Sequence, residues 1–546
     1  MQRDSIKRFY LLHSWLGALT AVLMFVVAFT GAVSVFGRPE LKIWAHEELH
    51  KPVSLSPASV EKVLLSDTAK VPDAYLQDVQ ILMPGVRRTP YLSLVFTREI
   101  EDELGKTDRH AIRFDHDPHT LAEVSRRQDE PQSLFLKDRK DVADFIVTFH
   151  ADLHLGDPVG LMITGLLGLT LFASVVTGVI THRKILKEMF AFRPARSIRL
   201  LFTDSHKALG VWGMLFHAVI AFTGAFLGLA VVVLLPAAAF VSFEGDLERM
   251  VETYLPADAP QMSGEAREFA IADVLEKAAR ENYGPVVSVQ ILRGRDTNAV
   301  ALVNTLAGKA LVGETQRYRL ADGERLQSYT QFSRLGGVAG PLLDTMFPLH
   351  FGNFGGVLIK FLWFFLGLST AFLALSGAMI WIERRAHGAT GKLSQRAYRR
   401  ISQLTLGVCM GVCTATVSLL YVQRLFLPAV ADTQPWLIST FFGVWLLVVA
   451  WTLCDSNVYR AAKRLLTITG LLTAFLPIVS AATLRNSLAD AYFGGAWQVL
   501  STELTCVLIG SALMFVGRRL PDSRPQRRLG TSAVTTGPIV QDAVAT

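Results

Sequence analysis

Apolar residues run almost unbroken over eight stretches, roughly 11–36, 158–182, 208–235, 354–382, 402–423, 436–454, 464–483 and 495–517. Each holds 18 residues or more, enough helix at about 1.5 Å per residue to cross a hydrocarbon core of about 30 Å. The pattern predicts an α-helical polytopic membrane protein with about eight transmembrane helices. Two long polar intervals, 38–157 and 236–353, interrupt the first four spans. In the first, 57–70 has helical spacing and 76–83, 91–97 and 110–115 alternate as strands do. In the second, 265–281 reads as helix and 286–292, 298–304 and 316–321 as strands. Asp117-Pro118 and Asp322-Gly323 mark turns in equivalent places. A helix packed on a small antiparallel sheet is the expectation for each interval, giving two small α+β domains.

The spans repeat. His13, Leu16, Gly17, Thr30 and Gly31 in the first correspond to His206, Leu209, Gly210, Thr223 and Gly224 in the third, with seventeen residues from His to Thr in both. Leu153, His154, Gly156 and Gly160 before the second match Leu349, His350, Gly352 and Gly356 before the fourth. Thr177-Gly178 and Ser376-Gly377 close those two spans. The chain therefore divides into span 1–37, domain 38–157, span 158–182, basic loop 183–207, span 208–235, domain 236–353, span 354–382, loop 383–401, a four-helix extension over 402–517, and a tail over 518–546. The Pro, Ser, Thr and Arg content of the tail predicts disorder.

Only 18% of residues are charged, against roughly a quarter in soluble proteins. The net charge of +7 is a topology signal rather than a nucleic-acid footprint. Lys and Arg cluster before span one and after spans two, four, six and eight. Loops 424–435 and 484–494 hold only Arg424 and Arg485. The positive-inside rule puts both termini in the cytoplasm and the two domains outside. The first span is too long for a signal peptide and lacks a clean cleavage site, so it reads as an uncleaved anchor. The four cysteines, Cys409, Cys413, Cys454 and Cys506, lie in or beside the last four spans and give the domains no disulfide framework. No C-x-x-C-H motif is present, which excludes covalent haem attachment.

Histidines carry the candidate chemistry. His13 and His206 start spans one and three on the basic side; His154 and His350 precede spans two and four on the other. An imidazole at membrane depth is costly without a partner. Paired imidazoles from facing helices can fill both axial positions of an iron porphyrin without bringing charge into the core, which suits electron transfer rather than catalysis at the metal. Capping or interfacial hydrogen bonding is the alternative for each ring. His217, about 16 Å into span three, could ligate a third haem, replace His206, or be structural. His150 lies one turn before His154, and His182 ends span two as an alternative inner ligand. Arg8, Arg183, Lys184 and Lys207 are candidates for haem propionates. Lys360 reads as snorkelling outward, and Glu503 as a candidate proton relay or quinol contact within span eight. His110, Asp115, His116, Asp117 and His119 read as an exposed hairpin turn before a metal cluster.

The repeated H-x-x-L-G…T-G pattern, the L-H-x-G…G pattern and the helix-plus-sheet modules resemble the PepSY-associated transmembrane helix family over roughly 1–390. The resemblance implies a bacterial inner-membrane protein with PepSY folds in the periplasm and two b-type haems on His13, His206, His154 and His350. It also implies a haem-dependent ferric-siderophore reductase: an oxidoreductase taking electrons from a cytoplasmic reductase or quinol to a periplasmic ferric siderophore. No dinucleotide-binding G-x-G-x-x-G follows a strand here, so the donor is a separate partner. A PepSY-type sensor or regulatory binding module, and a siderophore or haem permease, are the alternatives.

Overall fold

The computed structural model describes residues 3–522 except 52, 54, 86–88, 102–106, 137, 183–189, 191–197, 255–258, 282–283, 307–310, 336, 388–392, 485–488 and 490–492. The expected tail from 523 onward lies outside the described residues. Helix α1 (Arg3–Ser34) crosses the membrane and leads through a linker to α2 (Pro57–Thr68), capped by Ser56 with proline at its first position. Strands β1 (Asp78–Leu82), β2 (Leu92–Glu101), β3 (Thr107–His116) and β4 (Glu123–Asp129) follow. Helix α3 (Val142–Asp152) then returns the chain to α4 (Val159–Thr181), the second span.

The third span is two helices, α5 (Ile198–Trp212) and α6 (Met214–Leu229), bent at Gly213 and prolonged through a π turn into Leu235–Ser242. The second module comprises α7 (Ala272–Glu281), β5 (Val286–Leu292), β6 (Val300–Thr305), β7 (Thr315–Arg319) and β8 (Arg325–Tyr329). Helix α8 (Ala339–Phe351) leads to α9 (Gly356–His387), the fourth span. Four further spans close the chain: α10 (Gln395–Leu425), α11 (Gln434–Cys454), α12 (Val458–Thr483) and α13 (Trp497–Arg519). Among the described residues eight helices are long and apolar enough to cross a membrane. The chain is a polytopic α-helical membrane protein.

The two modules form one sheet. β1 pairs antiparallel with β5, Gln80 opposite Gln290, so eight strands run in the order β4-β3-β2-β1-β5-β6-β7-β8. Helices α2 and α7 cover one face, and Leu64, Phe96, Val274, Ile291 and Tyr318 share a single core across the joint. β4 and β8, which end the sheet, escape the sequence pattern because each carries too few apolar residues to alternate.

In the membrane, α1 packs on α9 and α4, and α4 packs on α6. The crossings are made by small residues at repeat-related positions. A Cβ on Gly168 would stand 2.6 Å from the Ala225 nitrogen, and one on Gly367 would stand 3.0 Å from the Ala32 Cβ. Without a hydrophobic force between helices in lipid, such close approach gives the packing its energy. The last four helices dock on α1 and α3 through a core that includes Val26, Phe149, Val412, Leu419, Phe441 and Val499.

Candidate functional site

The helix packing brings four of the histidines into two pairs. His13 on α1 and His206 on α5 face each other on the basic side, ring centres 6.4 Å apart and planes at 79°. On the sheet side, His150 on α3 and His350 on α8 face each other at 6.1 Å and 25°. Along α1, eighteen residues separate His13 from Gly31, the residue against which His150 lies, or roughly 27 Å of helix.

Each ring is fixed through Nδ1. His13 donates to the Ser174 carbonyl at 3.0 Å and lies 3.3 Å from Thr177 Oγ1. His150 donates to the Val27 carbonyl at 2.9 Å. His206 and His350 meet Ser376 Oγ at 2.9 Å and Thr223 Oγ1 at 3.0 Å. Both hydroxyls already donate to their own helices, at Leu373 and Val219, so each accepts from the ring. All four imidazoles are thus set with the proton on Nδ1 and a bare Nε2, which has no hydrogen-bond partner among the described residues. That is the tautomer a metal ligand needs, with the orienting bond it normally has. A glycine faces each ring. A Cβ would come within 3.4 Å of Cε1 at Gly178 (His13) and Gly377 (His206), 2.6 Å at Gly31 (His150) and 3.1 Å at Gly224 (His350).

The family model of the PepSY-associated TM region matches residues 10–384. The chain belongs to that family. An uncharacterized protein of Pseudomonas aeruginosa is 28% identical over 386 residues, 68% of this chain and 93% of that protein. All four paired histidines fall inside the PepSY-associated region, and α10–α13 lie beyond it.

One expected ligand is displaced. The ring that faces His350 is His150, not His154. Helix α3 ends at Asp152, and both Leu153 and His154 adopt left-handed φ, 57° and 54°. That turn lays the His154 ring on Phe145, centres 4.3 Å apart, with its amide donating to Asp152 at 2.7 Å. The signal was present in the sequence. Gly178 and Gly377 are 199 positions apart, and carrying that offset back sets His350 against residue 151, beside His150. The L-H-x-G spelling led elsewhere.

His217 uses both nitrogens inside the bundle, at 2.9 Å to Thr370 Oγ1 and 3.3 Å to the Leu209 carbonyl across the Gly213 bend. His182 caps the end of α4, one turn beyond Gly178. Arg8 is exposed five residues before His13, and Lys207 follows His206. Arg183 and Lys184 lie outside the described residues. Lys360 does not snorkel: it is buried, 2.7 Å from both Glu40 and the Arg38 carbonyl.

In the first module, Asp117 accepts from the His119 and Thr120 amides as a turn should. His116 and Asp115 are buried instead, on Asp67 at 2.7 Å and on Arg113 at 2.8 Å. No group of three or more candidate metal ligands gathers among the described residues.

Proposed function

We propose that this protein carries electrons across the bilayer through two b-type haems, the inner on His13 and His206, the outer on His150 and His350. The observation that carries the reading is the doubled arrangement of imidazoles. Each pair has bare Nε2 atoms and ring centres just over 6 Å apart, about the separation of two imidazoles sharing one metal through bonds of roughly 2 Å. Bound there, haem b would supply a one-electron couple with no open coordination position.

The protein's own part is to orient. Ser174, Ser376, Val27 and Thr223 hold the rings, the glycines leave room for a flat macrocycle, and the packed spans keep water out. The positive-inside rule places the basic side, with both termini, in the cytoplasm of a bacterial inner membrane. Electrons then run from a cytoplasmic reductase or quinol to the periplasmic sheet. A ferric siderophore is the acceptor that fits, because its oxygens hold hard Fe(III) far better than Fe(II).

The purified protein's visible spectrum tests the reading. A Soret band and a sharp α band that reduce with dithionite are expected; a folded, colourless protein overturns it. Vesicles loaded with reductant should then reduce an external ferric chelate without taking up solute.

A further inference from the structure

The C-terminal helices bring a second set of buried polar groups together. The linker after α1 carries Trp44 and His50, both fully buried; it packs against α13 and is held to α10 by Gln423, whose amide donates to the Ala45 carbonyl at 3.3 Å. Trp44 Nε1 donates to Glu503 Oε1 at 2.6 Å, and the Arg424 guanidinium lies 3.9 Å from the centre of the Trp44 ring. Arg424 and Glu503 approach only to 3.9 Å, too far for a hydrogen bond. Glu503 Oε2 and Arg424 Nε and Nη2 are buried without a hydrogen-bond partner among the described residues, and His50 lies beside them against the Trp44 and Ile43 backbone. Three such atoms on two facing side chains call for one shared explanation.

The surrounding charged and titratable groups are few. Tyr421 and Arg424 come from α10, Cys506 from α13, and Glu47, Glu48 and His50 from the linker. Glu40 and Lys42 of the same linker are engaged by Lys360 and by Asp141 and Asp144. His50 is neutral near pH 7, since burial, and then Arg424, pushes its pKa down to about 4. Glu503 is a buried acid with one oxygen committed and one open. His50 is followed by exposed Lys51, one residue from sheet-side water.

We propose that Glu503 is a proton-exchanging group, linked through internal water and the Arg424 and His50 side chains to the sheet-side surface. Oε1 stays with Trp44, so the proton adds to Oε2; carboxylate becomes carboxylic acid and no other bond changes. The site also has a route to the outer histidine pair. Gln423, beside Arg424, accepts from the Val142 amide at 3.1 Å, the first residue of the helix that carries His150. Resting on the electron-transfer reading, the coupling is simple. An electron supplied by the donor on the basic side adds one negative charge at the outer pair, and a proton on Oε2 offsets it.

Infrared difference spectroscopy of the full chain in nanodiscs, stepped in pH, tests the proton site with or without haem. A protonated-carboxyl band that shifts in D2O within minutes and is lost in Glu503→Gln supports it. A band that does not titrate, does not exchange, or survives Glu503→Gln overturns it. Trp44→Phe removes the donor to Oε1 and should keep the band while raising its frequency; an unmoved frequency counts against Glu503 as its source. Potentiometry then reads the coupling: the outer midpoint should fall with rising pH in the wild type and lose that slope in Glu503→Gln. A flat wild-type response overturns the coupling alone. Protein without haem absorbance overturns the electron-transfer reading and leaves the infrared result to decide the proton site.

Discussion

The inner and outer histidine pairs hold the same side chains on different supports. His13 stands on α1, a 32-residue span, and His206 on α5, the 15-residue first part of the third span, and packing within the membrane core fixes both directly. His150 and His350 stand on α3 and α8, short helices that enter from the sheet side and stop at left-handed residues, Leu153 and Gly352. Behind α3 lies an ionic brace. Lys42, fully buried, holds Asp141 and Asp144 at 2.6 and 2.7 Å, and Arg38 holds Asp144 at 2.8 Å. The outer pair is also tighter, with a glycine Cβ position 2.6 Å from its ring where the inner pair leaves 3.4 Å. A site built on spans inherits their rigidity; one built on short helices must be braced from behind. The outer pair should therefore be the easier to disturb.

The largest effect expected is on pigment. His150→Ala or His350→Ala should remove one of two haems, whereas His154→Ala should keep both, as measured by pyridine haemochrome per protein. The reverse order would break the outer assignment. Next comes clearance. Gly31→Ala forces a methyl into the His150 ring, an overpacking that costs about 1–3 kcal/mol, and should empty the outer centre in part. Gly178→Ala makes an ordinary contact and should leave the inner centre filled, in the same assay.

Loss of an orienting bond separates the pairs further. Thr223→Val deprives His350 Nδ1 of its acceptor and should speed haem loss to a scavenging apoprotein by roughly 10–100-fold. Thr177→Val should do much less, because His13 keeps the Ser174 carbonyl. A smaller, spectroscopic difference follows from the ring planes. Crossed rings at the inner pair and near-parallel rings at the outer should give two distinct low-spin signals in electron paramagnetic resonance; one signal from both would erase the contrast.

The smallest effect concerns the sheet, where the first module holds a buried His116–Asp67 pair. Burial lowers the His116 pKa, but the hydrogen bond and charge of Asp67 outweigh it, so the pKa is raised above 6.5. That contribution to stability is complete below pH 6.5 and is lost as pH rises through the raised value. The melting temperature, followed by circular dichroism, should show a small fall over that window that is absent in His116→Gln.

Much of this was legible in the residues. Eight apolar runs, the H-x-x-L-G repeat and the alternation in β1–β3 and β5–β7 are local patterns, and each gives its element directly. The misses share a cause, which is that the deciding partner is remote. Lys360 looks like a snorkelling lysine until Glu40, 320 positions earlier, arrives beside it. Nothing in 78–82 names 286–292 as its neighbour, so the joined sheet is invisible to periodicity. Helices α3 and α8 fall inside the intervals read as domains, where no such helix was expected, and with α3 went the turn that sets His150 rather than His154 against His350.

The joined sheet also bears on the permease alternative. Transporters that move solute by rocking tilt one half of a duplicated fold against the other. Here the halves are stitched by five facing residue pairs, from Asp78 opposite Leu292 to Leu82 opposite Ser288, above a common hydrophobic core. Tilting would unzip that ladder and open the core to water. The electron-transfer reading proposed above asks no such movement of this frame.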